Sequence, residues 1–169
     1  MKNIIKELLP YVLILGGVIL IRTFIVTPVI VSGDSMKPNL HNGELLLERK
    51  IGYNSTNIKR FDIVVIKEGK EEIIKRIIGL PGEHISYKNN KLYVNDKVLE
   101  ENFDFRKTND FNLEEICSCN SIPEGKYLVL GDNRRGSYDG RMFGFVKKSQ
   151  IEGKTSLTIF PFNRIGFRK

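Results

Sequence analysis

The chain of 169 residues contains no alanine, two histidines and two cysteines, and each scarcity removes a class of function. The cysteines, Cys117 and Cys119, stand one residue apart in "CSC". A structural zinc site needs about four ligands, and His41 and His84 lie far off in sequence, so the pattern argues against a metal. So close a pair either stays as two thiols or closes a local bridge; the spacing leaves both open. His41 lies in the turn "NLHNGE" and His84 follows "LPGE" at a strand start. Both read as surface residues, which leaves a Ser-His-Asp triad without local support. Internal repeats, low-complexity segments and long helical periodicity after residue 31 are absent as well.

The missing alanine matters most at the front. "MKNIIKELLPYVLILGGVILIRTFIVTPVIV" opens with Lys2 and Lys6 and then runs apolar from Leu8 to Val26, interrupted by Arg22. A cleaved secretory signal needs small residues at its cut, and the expected place holds "IRTFIVTP" instead. The stretch therefore reads as a retained anchor, nearly long enough for a hydrocarbon core of about 30 Å. Arg22 can snorkel to the interface, and Pro10 is tolerated in a first turn. Lysines ahead of the span place the N-terminus in the cytoplasm and the remainder outside.

Charge is present but unevenly spread. The formal net charge is +7. The segment from Glu100 to Asn120 is acidic, which marks an insertion or lid outside the core, and the segment from Arg141 to Lys169 is strongly basic. A basic tail ending "PFNRIGFRK" suits anionic lipid head groups or a plain solvated face.

After residue 40 the chain breaks into short runs rich in Val, Ile, Leu, Tyr and Phe, among them "FDIVVIK", "EIIKRII", "KLYVN" and "KYLVLGD". Turn formers separate them, including Asn89-Asn90 and Asn95-Asp96, which predict consecutive hairpins with two-residue turns. The expected fold is mainly β: an antiparallel, barrel-like or two-sheet domain over residues 32–169, behind a segment 1–31 holding the anchor.

Three polar segments carry candidate chemistry. "VSGDSMKPNL" places Ser32 and Ser35 where the apolar stretch ends. A serine nucleophile needs a proton acceptor, and with the histidines unsupported, lysine is the alternative. Lysine serves only when burial lowers its pKa. Lys75, in "EEIIKRIIGLPGE", has Ile73 and Ile77 on its side of a strand. Pattern alone favours an edge lysine that discourages aggregation, with Glu71, Glu72 and Arg76 solvating that edge. The third segment, "VLGDNRRGSYDGRMFGFV", packs acids and arginines into one glycine-rich connection, where Asp–Arg pairs can set a loop's shape. It lacks interleaved exposed aromatics for stacking bases, which weakens a nucleic-acid reading.

Taken in order behind an anchor, "SGDSMKPNL", "RFDIVVIK", "IIKRIIGLPGE" and "GDNRRGSYDGRMFGFV" resemble the bacterial type I signal peptidases, especially the compact Gram-positive kind. The resemblance implies a membrane-anchored serine endopeptidase that cuts signal peptides from exported preproteins at small-x-small sites, with no cofactor, no metal and no nucleic-acid partner. It implies Ser35 as nucleophile, Lys75 as general base and Ser137 as a hydroxyl orienting the lysine. Asp139 and Arg141 match a supporting ion pair, and Asp132, Asn133 and Arg134 the rest of that loop. Met36 packs beside the nucleophile and helps form the groove. Val31 and Ile74 line pockets for the residues one and three before the cut. Gly33 stands where some members carry an oxyanion-donating hydroxyl, so that donor falls to backbone or Ser32. Asn39, Phe61 and Gly140 replace the family's usual Thr, Gly and Ser. Two other readings are a tethered β-domain that binds a partner or nucleic acid through its basic face, and a self-cleaving Ser-Lys peptidase. The matched residues oppose the first, and the span with no helical DNA-binding domain opposes the second.

Overall fold

The computed structural model describes residues 2–24, 26–50, 52–53 and 57–168, with the side chains of residues 2–6 and 19–24 left aside. Helix α1 (Lys2–Phe24) leads directly into strand β1 (Val26–Ile30). Then come β2 (Leu45–Arg49), β3 (Ile63–Glu68), β4 (Glu71–Gly79), β5 (Ile85–Lys88), β6 (Lys91–Val94), β7 (Lys97–Leu99) and β8 (Phe111–Asn112). The short helix α2 (Leu113–Cys117), β9 (Lys126–Leu130), α3 (Gly140–Phe143), β10 (Val146–Lys147), β11 (Ile151–Phe160) and β12 (Gly166–Phe167) complete the chain.

The strands form two antiparallel sheets. The larger has the order β1-β2-β11-β3-β4-β9-β10, with β12 also paired to β11, and the smaller is β7-β6-β5-β8. The two-residue turns anticipated at Asn89-Asn90 and Asn95-Asp96 close β5–β6 and β6–β7, with φ positive at all four residues, as a type I′ turn demands. The barrel-like expectation is corrected: the large sheet does not close. β9 meets β4 only at Arg76, Ile77 and Gly79, so among the described residues Glu71 to Lys75 carry no strand partner on that side, and β1 is the opposite edge. The two open edges face each other across a groove.

Three apolar clusters hold this frame, and two of them position the site. Val31, Met36, Leu40, Leu46, Ile63, Val65 and Ile74 pack the segment after β1 onto β2, β3 and β4. Ile78, Leu128 and Leu130 of the large sheet meet Ile85, Tyr87, Leu92 and Phe111 of the small one and Leu113 at the start of α2. Phe111 and Leu113 fall within the acidic stretch read from sequence as lying outside the core. Their burial corrects that reading, because β8 pairs with β5 and its apolar side has the sheet junction to fill.

Along α1, residues 7–18 project apolar side chains outward, with Leu8, Leu9, Leu13, Ile14 and Leu15 all exposed. Among the described residues no helix is long and apolar enough to cross a membrane. The expected span from Leu8 to Val26 runs partly through residues 19–25, which lie outside the described side chains.

Candidate active site

Ser35 sits in the turn after β1, and Lys75 in the middle of β4. Lys75 Nζ lies 2.8 Å from Ser35 Oγ and 3.2 Å from the carbonyl oxygen of Ile74, donating to both. The lysine is only 4% exposed. Burial lowers its pKa to about 8, against the opposing pull of Asp139 and then Asp132. Lys75 does lie on the open edge of β4, but the reading of a solvated edge lysine is overturned. β3 flanks β4 at this height, the serine turn caps the lysine's end, and water is excluded from most of the side chain.

Arg76, expected to help solvate a strand edge, is instead fully buried. Its guanidinium makes a two-pronged pair with Asp132, at 2.8 and 2.6 Å, donates to the carbonyl of Phe61 and stacks on the Phe103 ring at 3.9 Å. Asn39 adds a third bond to the same carboxylate at 2.7 Å. This network ties β4 to the loop after β9, and sequence reading missed Arg76's part in it. A buried arginine needs an acid, and the nearest in space lies 56 positions away in the chain.

The glycine-rich loop holds the serine turn from the other side. The N–H of Asn133 donates to the Ser35 carbonyl at 2.9 Å, and Asn133 Nδ2 to that of Asp34 at 3.2 Å. Asp139 accepts from the Gly131 N–H and pairs with Arg141 at 2.8 Å, while Arg141 reaches the Arg134 carbonyl. Arg134 points away from Ser35: it bonds Tyr87, Thr108 and Glu101, so it braces the small sheet against the loop. Ser137 is 4% exposed and its hydroxyl has no partner among the described residues; no bond joins it to Lys75. A Cβ at Gly131 would fall on Ser137 Oγ and against the Ser35 carbonyl, so only glycine fits there. Gly140 is explained the same way, since a side chain would meet the Val129 carbonyl at 2.8 Å. Phe61 takes a left-handed φ of 71°, which suits the family's glycine, and spends its ring on an edge contact with Phe103.

A cavity of about 140 Å³ opens beside the pair, walled by Ile30, Val31 and Ser32 on one side and Glu71 to Lys75 on the other, with Met36 beneath. Val31, Met36 and Ile74 are buried in its walls. Gly33, at φ 82°, donates its N–H to Asn42 Oδ1, whereas the Ser35 N–H has no partner among the described residues. His41 and His84 play no part: the first meets Glu44, the second the Asn120 carbonyl. Cys117 and Cys119 are joined in a disulfide at the end of α2, which resolves the two readings the spacing left open. Among the described residues no cluster of His, Cys, Asp and Glu could hold a metal.

A hydroxyl within reach of a buried amine of lowered pKa can perform acyl transfer, and an open strand-shaped groove suits a peptide. Fold and site together are of the serine-peptidase class. The chain belongs to the signal peptidase family, peptidase S26, whose pattern matches residues 1–160. It is 44% identical over 158 residues to signal peptidase I of Bacillus caldolyticus, covering 88% of this chain and 87% of that protein. It is 36% identical to signal peptidase IB of Staphylococcus aureus strain MRSA252, over 96% of this chain and 94% of that protein. The crystal structure of a signal peptidase I from Enterococcus faecalis V583 superposes with a TM-score of 0.53 and 39% identity, covering 58% of this chain and 96% of that one.

Proposed function

We propose that Ser35 and Lys75 are the catalytic dyad with which this signal peptidase removes N-terminal signal peptides from preproteins at small-x-small sites. The observation that carries the reading is the 2.8 Å contact between Lys75 Nζ and Ser35 Oγ, with the lysine pKa held near 8 by burial. Neutral Lys75 accepts the Ser35 proton as Oγ attacks the scissile carbonyl, and the resulting ammonium gives a proton to the departing amine. Water then repeats the cycle on the acyl-enzyme, with Lys75 again the base. The ammonium offers three donors; Ser35 Oγ and the Ile74 carbonyl accept two, and the buried Ser137 hydroxyl, which has no partner among the described residues, is free to accept the third once the lysine is charged. The free N–H of Ser35 holds the oxyanion. The Gly33 N–H is committed to Asn42, which leaves the Ser32 hydroxyl on the groove wall as the second donor.

An extended substrate fills the gap between β1 and the open edge of β4, completing the sheet with its own backbone. Val31, Met36 and Ile74 leave room for small side chains only, since a cavity of about 140 Å³ rejects large ones. The exposed apolar face of α1 supports a membrane anchor, with the N-terminus cytoplasmic and the β-domain, residues 32–169, outside, near membrane lipid. The anchor sets the groove where a signal peptide's end leaves the bilayer.

The test is cleavage of one preprotein with a small-x-small site by the full chain in detergent. Ser35→Ala and Lys75→Ala abolish cleavage, and the double change His41→Ala plus His84→Ala keeps it. Loss of activity in the histidine variant with retention in Lys75→Ala refutes the dyad.

A further inference from the structure

The groove wall that carries Lys75 also carries two carboxylates that the catalytic reading does not use. Glu71 and Glu72 open β4, are both exposed, and line the same cavity as Ser35 and Lys75. Neither makes an ion pair among the described residues, although Lys67 stands opposite Glu72 in register and Lys70 adjoins Glu71. Glu68, opposite Glu71, adds negative charge. On β2, buried Glu48 lies above the ordinary carboxylate pKa, chiefly through burial, with Lys50 opposing and Glu152 and Glu72 adding. Cations are close, yet this end of the groove keeps two unpaired acids in its wall.

Strand geometry says which part of a substrate they meet. At about 3.3 Å per residue, Glu72 and Glu71 sit roughly 10 and 13 Å along β4 from Lys75. An extended peptide with its scissile carbonyl at Ser35 runs at the same rise. Residues about three to five positions from the cut therefore lie abreast of the two carboxylates. We infer that Glu71 and Glu72 are charge-selecting residues, which favour basic and disfavour acidic side chains in the substrate just ahead of the small-x-small pair, at about the fourth and fifth residues before the cut. This rests on the groove being the peptide site, as proposed above.

The size of the effect is bounded by exposure. Each exposed pair contributes little, and successive strand side chains point to opposite faces, so a substrate residue meets one carboxylate closely and the other at longer range; changing it from Glu to Lys still reverses repulsion into attraction. The preference is therefore about three- to tenfold and sensitive to salt.

The experiment uses the full chain in detergent and two preproteins that differ only by Lys or Glu at the fourth residue before the cut. A second pair carries the same exchange at the second residue after it. The wild type cleaves the Lys substrate about three- to tenfold faster in kcat/KM at roughly 0.01 M salt, and the ratio falls toward one near 1 M. Glu71→Gln with Glu72→Gln cleaves both substrates at similar rates at low salt, and neither chain discriminates within the second pair. Equal rates with the wild type at low salt overturn the inference, as does a preference that survives the double change or appears only after the cut. Failure of the wild type to cut any of the four overturns the peptidase reading itself.

Discussion

The backbone N–H of Asn133 donates to the carbonyl oxygen of Ser35 at 2.9 Å, so the loop after β9 holds the proposed nucleophile by its own peptide group. Ser35 is thus fixed from two sides, by Asn133 at its backbone and Lys75 at its hydroxyl. Small displacements of that loop reach the reacting oxygen directly.

Gly131→Ala tests this coupling. The added methyl collides with Ser137 Oγ and the Ser35 carbonyl, and the loop must move to admit it. A shift of about 1 Å at the nucleophile costs on the order of a hundredfold in rate. Expected is a fall of that size in kcat with the thermal midpoint only modestly lowered; an unchanged kcat refutes the coupling.

The pH profile follows from Lys75. Its amine must be neutral to accept a proton, and with a pKa of about 8 only about a tenth is neutral at pH 7. The value of kcat/KM therefore rises with pH and levels off above about pH 8.5. A profile governed by a group near the histidine value of about 6.5 contradicts this assignment.

The same lysine lowers stability. Its pKa falls from 10.5 to about 8 on folding, so the unfolded chain binds more protons between those values. Burial of the amine then costs roughly 3 kcal/mol below pH 8, and the cost is relieved as pH rises from 8 toward 10.5. Lys75→Met abolishes cleavage yet raises the unfolding free energy at pH 7 by up to roughly 3 kcal/mol. Urea titrations at pH 7 and 10 measure it: the variant's advantage shrinks at the higher pH, and a destabilised variant would show that packing outweighs the charge.

Asp132→Ala removes the carboxylate that Arg76 and Asn39 share. An uncompensated guanidinium is left with both side chains of the former pair fully buried. Breaking such a pair from one side costs about 3–5 kcal/mol. Chemical denaturation reads the loss, and a cost under about 1 kcal/mol means that water reaches Arg76.

Much of the β-domain was legible in local pattern. Asn89-Asn90 and Asn95-Asp96 announced two hairpins because few residues other than glycine and asparagine accept the left-handed backbone both turns require. Ser35 and the loop from Asp132 to Arg141 stood out because polar, glycine-rich segments between apolar runs are unusual. Lys75 stood out as a lysine among isoleucines, but pattern favoured a solvated edge over burial, and Arg76 did not stand out. Alternation shows that a residue sits in a strand but not whether another strand or a loop covers it. Here the covering parts are the Ser35 turn, 40 positions back, and Asp132, 56 positions on. Phe111 and Leu113 were hidden in the same way by the acids around them.

By itself, the sequence determined the antiparallel strands, the turn positions and the identity of the groups able to react, since backbone preference and side-chain chemistry are local. Only the tertiary structure decided that the large sheet stays open along β4, that Lys75 loses enough water to bring its pKa down to about 8, and that Glu71 and Glu72 share its groove. Burial, pKa and the meeting of distant residues depend on what surrounds a side chain, and those surroundings come from every part of the chain at once.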